Sequence, residues 1–153
     1  MRKLPTMLAL GAVLLSAGAA LAATPVATVG SDSSRIGTFL VGTNGHTLYV
    51  YSRDKKNKSN CSGGCAKNWR ALVTRGKPKV KGSVKAAALG TIKHGSSEQV
   101  TYDGHPLYYY AGDTVSGDAS GQGTKLNGGV WTVIGTNGSP ITASKTKSGS
   151  GGY

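Results

Sequence analysis

The sequence predicts an all-β domain, a small sandwich or barrel of two related hairpin repeats with internal pseudo-two-fold symmetry. Three observations point there. Asn44-Gly45 and Asp103-Gly104 each precede a run in which aliphatic and aromatic residues alternate. The segments from Asn44 to Asp54 and from Asp103 to Asp113 align without gaps at an offset of 59 residues. They share Gly45/Gly104, His46/His105, Leu48/Leu107, Tyr49/Tyr108, Tyr51/Tyr110 and Asp54/Asp113. Internal duplication is the economical explanation. The third observation is composition: 24 Gly and 7 Tyr beside a single Phe suit short strands and turns better than long helices.

Taken in chain order, the first segment reads as a leader. Arg2 and Lys3 precede a short apolar stretch from Leu8 to Leu15, and Ala20-Leu21-Ala22 is an A-x-A cleavage signal. A signal peptide over 1–22 is expected, with cleavage near Ala22. The product would be an exported, soluble protein of the periplasm or the exterior. No Cys follows the apolar run, which gives no support for a lipid-modified N-terminus, and no other stretch is apolar enough to cross a bilayer. Residues 23–34 are small and polar and are expected to be a flexible N-terminal segment. One β domain is expected over 35–141, with repeat 1 at about 36–74 and repeat 2 at about 96–135. The Ser/Gly/Lys-rich end, 142–153, reads as a flexible tail.

Within the domain, strands are expected over Ile36 to Thr43 and Glu98 to Tyr102, each entering a two-residue type I′ turn, which needs positive φ at both centres. After the first turn Leu48 and Val50 face one way and Thr47, Tyr49 and Tyr51 the other. After the second, Leu107 and Tyr109 oppose Pro106, Tyr108 and Tyr110. Neither face is plainly polar, so both strands should be central and covered on both sides. Further strands are expected over Val84 to Ile92 and Val130 to Ile134. One short helical turn is expected near Cys65 to Leu72, with Trp69 packed inward. Cys61 and Cys65 are an even pair in a chain read as exported, which favours a disulfide fixing a floppy Ser-Gly-Gly turn.

These motifs resemble a known family. Tyr49-x-Tyr51-x-x-Asp54 and Tyr108-x-Tyr110-x-x-Asp113 are similar to the Y-x-[FWY]-x-x-D signature of the bacterial secreted-repeat lipoprotein family. Cys61-Ser-Gly-Gly-Cys65-Ala66, the run from Gly104 to Tyr109, the glycines 117, 121 and 123, and Gly129-Val130-Trp131 fit as well. The resemblance covers roughly 36–138. It implies location and fold more than activity, because the family is largely uncharacterised. The chain departs from the pattern in lacking a lipid-anchor Cys and in having Trp69-Arg70-Ala71 where members often have Trp-Pro-Pro.

No catalytic constellation stands out, and no cofactor is expected. His46 and His105 are the natural metal candidates because they recur at one place in both hairpins, yet a metal site needs three or four ligands. The simpler use of each is to start a strand and bond a turn carbonyl. His94 has no partner in sequence. Asp54 and Asp113 could be two catalytic carboxylates, or each could accept backbone N–H bonds in the turn after its strand. The Tyr ladder could stack on sugars, but core packing is its simpler use.

Charge gives the remaining clue. The formal net charge is +12. Twelve basic residues and one acid lie between Arg53 and Lys93, so this segment carries almost all of it. Anionic cell-envelope polymer or lipid headgroups are the expected partners, with nucleic acid not expected as a specific one. In an extended Lys77-Pro78-Lys79-Val80-Lys81 the lysines would face one side at roughly 7 Å spacing. They could track a polyanion or guard a sheet edge. The leading expectation is a non-catalytic envelope or extracellular domain that binds such a surface. The alternative is a metal- or redox-handling protein using His46, His105 and the Cys61/Cys65 pair.

Overall fold

The computed structural model describes residues 23–142. The leader expected over 1–22 and all but the first residue of the expected tail lie outside the described residues. In chain order the strands are β1 (Thr28–Ser34), β2 (Gly37–Val41) and β3 (Tyr49–Tyr51), then helix α1 (Gly64–Asn68), β4 (Trp69–Ala71), β5 (Val73–Thr74) and β6 (Lys79–Val80). A 3-10 turn at Ala86–Ala88 leads into β7 (Leu89–His94) and β8 (Ser97–Tyr102). β9 (His105–Pro106), β10 (Tyr108–Tyr110), β11 (Thr124–Leu126) and β12 (Gly129–Val133) follow. The fold is all-β and built on two repeats.

The central sheet interleaves the repeats. Its order is β11-β12-β3-β10-β4. β3 and β10, the equivalent tyrosine strands, pair antiparallel with Tyr49 opposite Tyr108, so the pseudo-two-fold axis passes between them. Each then takes the tryptophan strand of the other repeat as its outer neighbour. Trp131 lies opposite Tyr51, and Trp69 opposite Tyr110. The flanking hairpins are equivalent too: β1 with β2 and β7 with β8, both antiparallel.

Period-two alternation sends the two faces of this sheet into different cores. One face carries Leu48, Val50 and Leu107 into an aliphatic cluster with Val29, Leu40, Leu72, Val100 and Ile134. The other carries Tyr49, Tyr51, Tyr108, Trp69 and Trp131 into an aromatic cluster with Phe39, Val133 and both cysteines. Main-chain bonds curl the sheets around the aliphatic core. Leu40 and Leu48 bond to Ile134, as Val100 and Leu107 bond to Leu72.

Four expectations need correction. The segment 23–34 is not a loose lead-in, because it carries β1. Ala27 and Val29 are buried, and the strand is held on both edges, by β2 and by parallel β6. Its polar residues beyond Val29 face solvent, which hid it in the sequence. The helical turn is α1 and ends at Asn68. Trp69 is fully buried, but on a strand, because β10 offers Trp69 to Ala71 a ladder. The strand expected from Val84 starts at Leu89, since the three small alanines form the 3-10 turn. Finally, only the second repeat has the type I′ turn, with Asp103 at φ 48° and Gly104 at φ 80°. In the first only Gly45 is left-handed. There Gly42 N–H donates to the His46 carbonyl and Gly45 N–H to the Gly42 carbonyl, a three-residue loop closed by a glycine bulge.

Candidate functional site

The repeated motif residues meet across the pseudo-two-fold axis. Tyr49 Oη donates to Asp113 Oδ2 at 2.6 Å, and Tyr108 Oη donates to Asp54 Oδ2 at 2.7 Å. Each tyrosine therefore reaches the aspartate of the other repeat. The second oxygen of each carboxylate closes its own loop. Asp54 Oδ1 accepts Asn60 N–H at 2.6 Å, and Asp113 Oδ1 accepts Ser120 N–H at 2.9 Å and the Ser120 hydroxyl. The hairpin turns dock on the same loops: Asn57 N–H donates to the Gly104 carbonyl and Ser116 Oγ to the Gly45 carbonyl.

Between the two Tyr–Asp pairs lies a stack of four rings. Tyr51 stacks on Trp131 at 4.2 Å, Trp131 on Trp69 at 4.0 Å with planes 1° apart, and Trp69 on Tyr110 at 4.5 Å. Tyr49 meets Trp69 edge-on at 5.3 Å, and Tyr108 meets Trp131 likewise at 5.1 Å. Both indole Nε1 atoms are buried without a partner. Leaving a buried donor unmade costs about 1–3 kcal/mol, so packing area and ring contacts offset a real penalty here.

Burial, reinforced by the facing carboxylate, pushes the phenols of Tyr49 and Tyr108 well above the ordinary tyrosine range. They remain neutral donors at neutral pH. Burial also raises the Asp54 carboxyl, against Asn60 N–H, the Tyr108 hydroxyl and the nearby His105, which lower it. The carboxylates do not share a cleft. Asp54 borders an open cleft of ≈ 590 Å³ with Tyr51, Arg53, Lys55 and Asn127, whereas Asp113 is only 6 % exposed and is not part of its lining. A pair of carboxylates facing one substrate is not what this arrangement builds.

The other candidates are dispersed. His46 follows an Asn44 turn, its N–H held by Asn44 Oδ1, with its ring edge-on to Tyr109 at 6.5 Å. His105 pairs with Tyr102 at the start of β9. Among the described residues no group of three or more His, Cys, Asp or Glu is placed to hold a metal ion. Cys61 and Cys65 form a disulfide with Cα atoms 5.3 Å apart, packed in the aromatic core.

All twelve basic residues of the segment from Arg53 to Lys93 are exposed. Lys77, Lys79 and Lys81 are exposed along and beside β6, the edge strand of the β2-β1-β6 sheet, while Pro78 between Lys77 and Lys79 is buried. Sequence reasoning missed the residues that hold the aspartate loops, Ser59, Asn60 and Ser120. Their signal was weak: small polar residues five to seven positions after each Asp. It also missed the Asn127-Gly128 turn joining β11 to β12, where both residues have positive φ. A smaller cleft, of ≈ 210 Å³, brings His94 to Cys61, Arg70, Ala71 and Tyr108, a grouping with no sequence signal.

No helix among the described residues is long and apolar enough to cross a membrane. Comparison with curated proteins and with solved structures finds no match to this chain. The family described as "secreted repeat of unknown function" matches twice, over residues 30–73 and 91–135, which bracket the two halves of the interleaved sheet. The chain belongs to this family of secreted lipoprotein-type repeats.

Proposed function

We propose that this is an exported, non-catalytic domain of the envelope or exterior, cleaved near Ala22, that holds an anionic envelope polymer through its basic segment 53–93. One observation carries the reading: all twelve basic side chains of that segment are exposed, and the second repeat has no counterpart to this charge. The motif residues support it by elimination. Tyr49, Tyr51, Asp54, Tyr108, Tyr110 and Asp113 are engaged in ring packing or in cross-repeat hydrogen bonds, which leaves the charge difference between the copies as the functional feature. Lys77, Lys79 and Lys81 would bind phosphate or carboxylate groups along the β6 edge.

Co-sedimentation with purified anionic wall material across a salt series tests this. Binding that weakens steadily with salt, and weakens further in a Lys77→Gln, Lys79→Gln, Lys81→Gln variant, is the expected result. Absent binding, or binding indifferent to salt, overturns it. Vesicles with anionic headgroups form the parallel arm, and preference for them would move the partner from polymer to membrane surface.

A further inference from the structure

The pseudo-two-fold axis relates the outer sides of β12 and β4, which are finished differently. Val133 on β12 and Ala71 on β4 are equivalent, lying opposite Tyr49 and Tyr108. In an antiparallel ladder alternate residues turn their N–H and C=O away from the partner. For Val133 those groups are taken internally. Its N–H donates to Gln122 Oε1 at 2.7 Å, its carbonyl accepts Ile141 N–H at 2.8 Å, and Gln122 Nε2 donates to the Ile141 carbonyl at 2.6 Å. The flanking bonds, Leu72 N–H to the Leu107 carbonyl and Ala111 N–H to the Asn68 carbonyl, put Ala71 in the same outward register. Yet β4 ends the sheet, and no strand among the described residues lies beyond it. The half-buried Ala71 instead faces the ≈ 210 Å³ cleft flanked by Arg70, His94, Cys61 and Tyr108.

We propose that this edge is a docking site for one extended acidic peptide segment. A residue of the partner would form a doubly bonded pair with Ala71, its carbonyl accepting Ala71 N–H and its N–H donating to the Ala71 carbonyl. The molecule displays this arrangement at Val133, where an amide side chain and the Ile141 backbone occupy the same two positions. Strand addition of this kind takes affinity from main-chain bonds and specificity from the flanking side chains. Those here are basic. Arg70 and His94 border the cleft, exposed Lys93 precedes His94, exposed Lys67 follows Ala66, which also lines the cleft, and no acid lines it. An acidic residue next to the paired one fits that charge. The site goes beyond polymer binding, because it requires a partner backbone and not charge alone.

The test uses the oxidised protein and an acetylated, amidated Glu-Val-Glu-Val-Glu peptide as probe, followed by amide NMR and calorimetry. Saturable binding that shifts the Ala71 amide is expected. N-methylation at one peptide position should weaken it about tenfold, the loss of one backbone hydrogen bond, while charge is unchanged. Ala71→Pro, which removes the N–H, should do the same with the near-ultraviolet signal of the tryptophan stack intact. If that variant fails to fold, the N-methyl scan and the Ala71 shift decide. No binding, binding indifferent to N-methylation at every position, or shifts confined to lysine-bearing loops would each overturn the proposal. The first of these would leave polymer binding untouched, so the two readings fail separately.

Discussion

The loop after Asp54 and the loop after Asp113 leave equivalent strands and deliver equivalent tryptophans to one stack, by different means. The first uses a disulfide and the five-residue α1. The second uses glycine and an amide. A Cβ on Gly121 would lie 2.8 Å from Trp69 and 3.0 Å from Tyr49, so only glycine lets that backbone pass over the rings. Gln122 then ties β12 to Ile141, and β11 covers the outer edge. The stack demands a tryptophan at a fixed place but leaves the route open. The covalent route is short and polar, and it leaves its strand edge uncovered beside a basic surface. The hydrogen-bonded route spends its residues sealing the edge.

The largest expected effect tests what the loops share. Trp69→Ala and Trp131→Ala should each cost about 3–5 kcal/mol in denaturant unfolding, because both rings are fully buried at the centre of the stack. A clear inequality between them would break the pseudo-symmetry of the core. Next comes the route that differs. Reducing Cys61–Cys65, or replacing both with Ser, should cost about 2 kcal/mol by loop-closure entropy. It should reduce the protection of the first-repeat loop amides from hydrogen exchange more than that of the second. Tyr49→Phe should cost about 1.5 kcal/mol, since it removes a donor from the buried Asp113 carboxylate, and Tyr108→Phe less, since Asp54 is more exposed.

The pH dependence follows from the same pairs. The folded state holds the Tyr49 and Tyr108 protons that an unfolded chain releases at about pH 10. Their contribution is therefore complete below that pH and is lost as pH rises beyond it. Thermal unfolding across the alkaline range should show this decline, flattened in either Phe variant. Asp54 gives the smaller acid-side effect. Its raised carboxyl favours the folded state while protonated, and that contribution is lost as pH rises through the carboxylate range. An Asp54→Asn variant should lack this slope. Lys79→Gln, on an exposed edge, should change stability by less than about 0.5 kcal/mol.

Much of the fold was legible in the chain because it rests on local rules. Alternation in 47–51 and 106–110 set which side chains share a face, and a β-strand has no other way to place them. The six identities at fixed offset announced the duplication, and the even cysteine pair a disulfide. The interleaving was not legible. Tyr49 could satisfy its hydroxyl on Asp54 or on Asp113, and nothing within a repeat decides between them. β1 was also hidden, because a strand with one short buried end resembles a polar linker until its pairing partners are known.

By itself, then, the sequence determined the elements that backbone chemistry dictates: the glycine-bearing turns, the alternating tyrosine strands, the short disulfide loop and the uneven charge. Tertiary structure alone decided the partners: which tryptophan strand each tyrosine strand accepts, which aspartate each phenol reaches, and which of two equivalent edges remains open at Ala71. The physical reason is separation along the chain. Tyr49 and Asp113 are 64 residues apart. A contact of that kind is selected only when both repeats fold around one axis, where swapping their outer strands assembles a four-ring stack that neither repeat could build alone.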